Sequence, residues 1–137
     1  MSIFFEWNLD MSVGEEMIDT QHKKLLAQLN KIIEALAFGT QSDELKNAII
    51  FFDEYTKEHF KYEEEYMQKI NYPKIREHRS MHNDFVQNYV KFKEEFNQNV
   101  PEDKLLGEIE KYIGNWWLVH INKEDKKYHS FAEGKIE

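Results

Sequence analysis

A chain of 137 residues that is 41% hydrophobic and 15% aromatic can bury a real core as one domain, which excludes disorder despite its 32% charged residues. Its formal net charge of -8 argues against nucleic acid and anionic membrane surfaces as partners. The absence of Cys removes disulfides, thiolate zinc sites and cysteine nucleophiles together. Five Gly and two Pro are too few to punctuate a strand-and-turn fold, so long helices are expected. The opening MSIFFEWNLD has no basic segment followed by an apolar run, and nowhere do about 18 consecutive apolar residues occur. The expectation is a cytoplasmic protein without a secretory leader and without membrane insertion.

Residues 1–18 carry Phe4, Phe5, Trp7, Leu9, Val13 and Ile18 without a clean period and read as an extended arm packed on the rest. Asp19 or Thr20 can cap a first helix, whose stripe of His22, Leu25, Leu26, Leu29, Ile32, Ile33 and Leu36 keeps three-four spacing. Gly39 is its expected end and Ser42 the expected cap of the next helix. That second stripe runs Leu45, Ala48, Ile49, Phe52, Tyr55, His59, Glu63, Tyr66, Met67 and Ile70, until Asn71-Tyr72-Pro73 breaks it. Pro73 suits the first turn of a third helix bearing Ile75, His78, His82, Phe85, Tyr89, Phe92 and Phe96. Residues 97–100 read as a loop, and Pro101 opens a fourth helix with Leu105, Ile109, Ile113, Trp116, Trp117 and His120 inward. The polar tail from Lys126 offers Phe131 and Ile136 as docking points. Four amphipathic segments joined by short loops predict an all-α, up-down-up-down four-helix bundle with an N-terminal extended arm, one domain over 1–137.

The histidines carry the chemistry. Five of the six, His22, His59, His78, His82 and His120, interrupt the apolar stripe of their own helix, and Glu63 does the same four residues after His59. A four-residue step returns to one helix face, so His59/Glu63 and His78/His82 are two-pronged claws. Each fragment has a bland reading: HxxxH is often a surface or core pair, His59–Glu63 an ordinary helix pair, His22 a solvated residue near a cap, and Trp116 and Trp117 core filler. Together the bland readings leave five imidazoles and a carboxylate in one core without a partner, which buried polar groups rarely tolerate. His129, nine residues past His120, faces the other way on a continued helix and is read as a surface residue.

Nitrogen-rich ligation disfavours magnesium and calcium, and a structural zinc needs only four ligands. Five imidazoles with bridging carboxylates suit a pair of octahedral iron ions. A second bridge should come from the fourth helix, where Glu124 and Asp125 are the candidates. In a regular α-helix Glu124, four residues after His120, points inward. Asp125, five residues after His120, is about 140° round from the direction of that histidine and needs a π-bulge or a widened turn. Spacing alone favours Glu124.

The lone His22, HxxxE (His59, Glu63), HxxxH (His78, His82) and HxxxxD (His120, Asp125) together resemble the hemerythrins, in particular their single-domain bacterial form. The resemblance extends to the Trp7 arm, the IDTQH opening of the first helix, the NYP break and the EDKKY after His120. It implies two non-haem iron ions bridged by Glu63, Asp125 and an oxo or hydroxo group. His78, His82 and His120 would hold one iron, His22 and His59 the other. It implies dioxygen as the ligand, bound reversibly at the two-histidine iron, for storage, delivery or sensing, with an oxygen-consuming recipient as protein partner. A dry pocket is then required at the two-histidine iron, and Leu25, Leu26, Phe60, Trp116, Trp117 and Ile121 are the residues expected to supply it. Hemerythrins usually place Leu where Trp117 stands, so this pocket is expected to be narrower. Tyr128, three residues after Asp125, is the expected hydrogen-bond donor to that carboxylate. The alternative is a di-iron enzyme with ferroxidase, peroxidase or nitric-oxide-reducing activity. No histidine here has Glu three residues before it, the spacing of ferritin-like enzymes, so a carrier without enzymatic activity is expected.

Overall fold

The structure, a computed structural model, describes residues 5–38 and 43–134, apart from the side chains of Glu44 and Glu102. Helix α1 spans Glu16–Ala37, α2 Asp43–Lys69 and α3 Ile75–Asn97. The fourth helix, α4, runs without a break over 102–132. It is not uniformly α-helical: π-helical turns occupy Ile109–Gly114 and His120–Asp125, with every junction residue still in right-handed helical geometry. Each helix packs against its neighbours in sequence, and α4 closes the ring against α1. This is the all-α four-helix bundle that the stripes predict. Among the described residues no helix is long and apolar enough to cross a membrane.

The apolar interior is divided in two. A large cluster gathers Leu25, Leu29, Phe52, Phe60, Phe85, Tyr89, Ile113, Trp117 and their neighbours. A small one at the other end gathers Val13, Ile18, Met67, Tyr72 and Tyr128, with Phe131 packed against it. The polar stripe residues lie between the two on every helix: His22 between Ile18 and Leu25, Glu63 between Phe60 and Met67, His78 and His82 between Ile75 and Phe85, His120 and Asp125 between Trp117 and Tyr128. The bundle therefore holds a polar layer sandwiched between apolar ones.

The arm is clamped rather than draped. Phe5 N–H donates to Asn30 Oδ1 at 2.8 Å and Asn30 Nδ2 donates back to Phe5 O at 2.7 Å. A 3-10 turn at Leu9–Met11 follows, capped by Asn8, and the Lys23 ammonium sits 4.4 Å over the Trp7 ring. From α4, Lys126 Nζ donates to the carbonyls of Asp10 and Ser12.

Several expected boundaries move. Helix α1 begins before Asp19 and Thr20: the Glu15 carboxylate caps it by accepting from Ile18 N–H at 2.7 Å. Asp19 is free for another task and accepts from the Ser12 hydroxyl and Val13 N–H, tying the arm to the helix. Pro73 lies in the turn ahead of α3, where Asn71 takes φ 58 to reverse the chain. Pro101 is the residue before the first turn of α4. Gly39, Ser42 and Ile136 lie outside the described residues.

Gly114, in the first π turn, lies directly under Phe5, and a Cβ there would overlap the phenyl ring. Gly114→Ala should lower unfolding free energy by about 1–3 kcal/mol. In the Phe5→Ala background it should cost much less, because the clash is then gone. Denaturant unfolding of the two single variants and the double variant measures this, and equal penalties in both backgrounds would refute the close approach as the cause.

Candidate metal centre

The seven stripe residues converge on one buried volume. His22 comes from α1, His59 and Glu63 from α2, His78 and His82 from α3, and His120 and Asp125 from α4, none more than 3% exposed. Asp125 reaches the interior because His120–Asp125 is a π turn: with i→i+5 closure, five residues bring the chain back to the same side. Glu124 points outward instead and pairs with Lys127 at 3.1 Å, so the inward position that α-helical spacing gives it is corrected.

Donor atoms fall into two groups that share the carboxylates. Glu63 Oε1 lies 2.9 Å from His82 Nε2 and 3.1 Å from His78 Nε2, while its Oε2 faces His59 Nε2 at 3.3 Å and His22 Nε2 at 3.5 Å. Asp125 divides in the same way: Oδ1 lies 2.9 Å from His78 and 3.0 Å from His120, and Oδ2 lies 3.2 Å from His22. Glu63, His78, His82, His120 and Asp125 form one set with donor atoms within 4.8 Å of one another, and His22, His59 and Glu63 a second.

These atoms fit cations. His22 Nδ1 and Nε2, His59 Nε2, His82 Nε2 and both Asp125 oxygens are buried without a hydrogen-bond partner. Leaving such a group unpaired costs about 1–3 kcal/mol each. His78 Nε2 and His120 Nε2 face each other at 3.0 Å, an approach that two lone pairs resist unless a positive charge lies between them. Two of the outward ring nitrogens are held. His59 Nδ1 is 2.6 Å from Gln21 Oε1, and His82 Nδ1 is 2.8 Å from Glu64 Oε2, a carboxylate that also pairs with Arg79. A donor role for Nδ1–H in both contacts leaves the Nε2 lone pair inward, the tautomer that binds metal. Sequence reasoning overlooks Gln21 and Glu64. Their only signal is a polar residue beside a stripe position, and their partners lie 38 and 18 residues away.

A family model described as the hemerythrin HHE cation binding domain matches residues 13–132. The chain belongs to the hemerythrin family. It is 29% identical over 127 residues to a bacteriohemerythrin of Clostridium acetobutylicum, covering 90% of this chain and 98% of that one. A bacteriohemerythrin of Stenotrophomonas maltophilia is 26% identical over 128 residues, 89% of this chain and 77% of that one. A hemerythrin-like protein of Naegleria gruberi is 28% identical over 125 residues, 90% of each chain.

Within this hemerythrin-family bundle, Tyr128 is fully buried but donates to Glu63 Oε2 at 2.9 Å, not to Asp125 as three-residue spacing implies. The π turn ahead of it rotates the ring towards α2. Leu25, Leu26, Trp117 and Ile121 are buried in the large cluster. Phe60 stacks on His82 with centroids 3.8 Å apart, and Trp116 on His120 at 4.3 Å, both on the three-histidine side. Trp117 contacts the other side, 6.2 Å from His22 and 5.8 Å from His59. His129 stays out of the centre, yet it is not bare surface: it is half-buried against Gly14 and pairs with Glu133 at 3.2 Å.

Without metal, protons take its place. Burial opposes charge on His22 and His78, but the carboxylates of Asp125 and Glu63 beside them win and raise them from 6.5 to about 9 and about 10. His59, fully enclosed, is lowered by desolvation. Burial and mutual repulsion oppose charge on the carboxylates, yet the surrounding imidazoles hold Glu63 and Asp125 below their ordinary range. The raised histidines stabilise the metal-free fold fully below 6.5, and that contribution disappears as pH rises through about 9 to 10. The depressed carboxylates contribute above their ordinary values and lose that contribution on acidification. Metal-free protein should therefore melt at falling temperature as pH is raised from 7 to about 10. Metal-loaded protein should lack that alkaline fall, because deprotonated imidazole is what binds metal. Thermal melts across pH with and without chelator test this, and parallel curves would contradict it.

Proposed function

We propose that the chain holds two non-haem iron ions and binds dioxygen reversibly, for storage, delivery or sensing, and that it is not an enzyme. The observation that supports this best is the division of the two carboxylates, each with one oxygen towards the three-histidine group and the other towards the two-histidine group. In this reading Glu63, Asp125 and an oxo or hydroxo group are the bridges. His78, His82 and His120 serve one iron, and His22 and His59 the other. The unequal count leaves the second group short of protein donors, which is where an outside ligand is accommodated. A ferrous pair held by these residues would supply the two electrons of reversible dioxygen uptake.

The remaining roles belong to the protein. Gln21 and Glu64 hold the imidazoles of His59 and His82 in orientation, and Tyr128 restrains Glu63. Leu25, Leu26, Trp117 and Ile121, buried to 1% exposure or less, keep water from the pocket, and Phe60 and Trp116 shield the histidines of the three-histidine group. A family of oxidising di-iron bundles uses Glu-x-x-His pairs and carboxylate-rich sites; the donor set here is dominated by imidazole, which favours a carrier. The whole chain, 1–137, acts as one domain in this reading, with dioxygen as its ligand.

Purified protein should contain close to two irons per chain by metal analysis, and His82→Ala or Asp125→Ala should remove most of it while Glu124→Ala leaves it unchanged. The opposite pattern for the two acidic residues would overturn Asp125 as a bridge. Tyr128→Phe should weaken iron binding about tenfold, measured by chelator competition. The reduced protein should be colourless, gain visible absorption in air and lose it under nitrogen. Colour that cannot be reversed would favour an oxidising enzyme.

A further inference from the structure

Trp117 occupies a position where the family resemblance leads one to expect leucine, and its side chain is completely buried. Its ring is stacked on Phe60 at 5.4 Å and packs against Phe85 at 5.5 Å. Those contacts fix the indole beside His22 and His59, the two imidazoles of the smaller donor group. The indole Nε1–H is enclosed and has no acceptor. An indole N–H can only donate, so without an acceptor the group is left destabilised in the unliganded chain. A leucine there would carry no such unpaired donor. Thr56, three residues before His59 on α2, is also buried with its hydroxyl unpartnered.

We propose that Trp117 Nε1–H is a hydrogen-bond donor to the small ligand taken up at the His22–His59 group, and that it selects for ligands carrying negative charge on the atom away from the metal. The inference rests on the dioxygen-binding reading above and adds a residue to it. The ring packing on Phe60 and Phe85 holds the donor rigid, so little side-chain freedom is lost when the bond forms. A donor to a charged acceptor is worth more than one between neutral partners.

Azide, a linear anion that ligates ferric iron and accepts hydrogen bonds, is a direct probe. The oxidised, iron-loaded full chain is labelled with 15N at its three tryptophans. Trp117→Phe identifies the indole N–H resonance that belongs to this residue. Azide should shift that resonance and slow its exchange with deuterated solvent, while the metal-free chain shows no response. Azide affinity, read from the absorption change on binding, should fall about tenfold or more in Trp117→Phe and in Trp117→Leu. Trp7→Phe, on the arm, should bind azide as the unaltered chain does. If Trp117→Phe keeps full affinity, or if the resonance does not move although azide binds, the N–H is satisfied by neighbouring ring faces and the proposal is wrong. If the unaltered iron-loaded chain shows no azide absorption change at all, the reading of the smaller group as the ligand site fails as well.

Discussion

The whole bundle is arranged around a layer of five imidazoles and two carboxylates that cannot be left in an apolar interior without a positive partner. Each helix gives up the middle of its apolar stripe to this layer, which is why the hydrophobic interior divides into a large and a small cluster. Neither cluster is continuous across the centre, where the polar residues lie. In the metal-free state protons shared between imidazole and carboxylate supply the compensating charge, which ties the stability of the fold to pH. A multivalent cation would satisfy the same lone pairs at once, and folding and metal binding then share one free energy.

The asymmetry of the layer is what gives it chemical direction. Three imidazoles on one side and two on the other follow from α3 supplying two imidazoles, where α1, α2 and α4 supply one each. Around them the support is also unequal. Phe60 and Trp116 lie flat on His82 and His120, whereas His22 and His59 meet Trp117 at steeper angles. One side is braced by stacked rings, the other by a wall whose polar edge has no partner within the protein.

Much of the fold was readable because the stripes are long and their period is that of a helix; the bundle follows from them directly. The errors came where local chemistry departed from the commonest pattern. Asp19 looks like a cap because its side chain is short, but Glu15 reaches the free N–H groups first and Asp19 instead binds the arm. Counting by fours put Glu124 inward, and only the resemblance selected Asp125, because a single-sequence periodicity rule assumes an α-helix and this turn is not one. The same turn redirected Tyr128 from Asp125 to Glu63. Gln21 and Glu64 could not have been found by spacing at all, since each acts across helices on a histidine distant in sequence.

The π turn at His120–Asp125 reaches beyond the site. One additional residue in that turn rotates everything after it by about 100° relative to an uninterrupted α-helix. Lys126, which holds the carbonyls of Asp10 and Ser12, and His129, which packs on Gly14, take their positions from that rotation, as does Tyr128. The acidic ligand position, its phenolic support and the anchorage of the N-terminal arm are therefore set by a single insertion in the helical count. A one-residue deletion between 121 and 124 would leave every side chain of the site in the sequence and still unhook the arm and the centre together. Such a helix tolerates substitution far better than any change in its length.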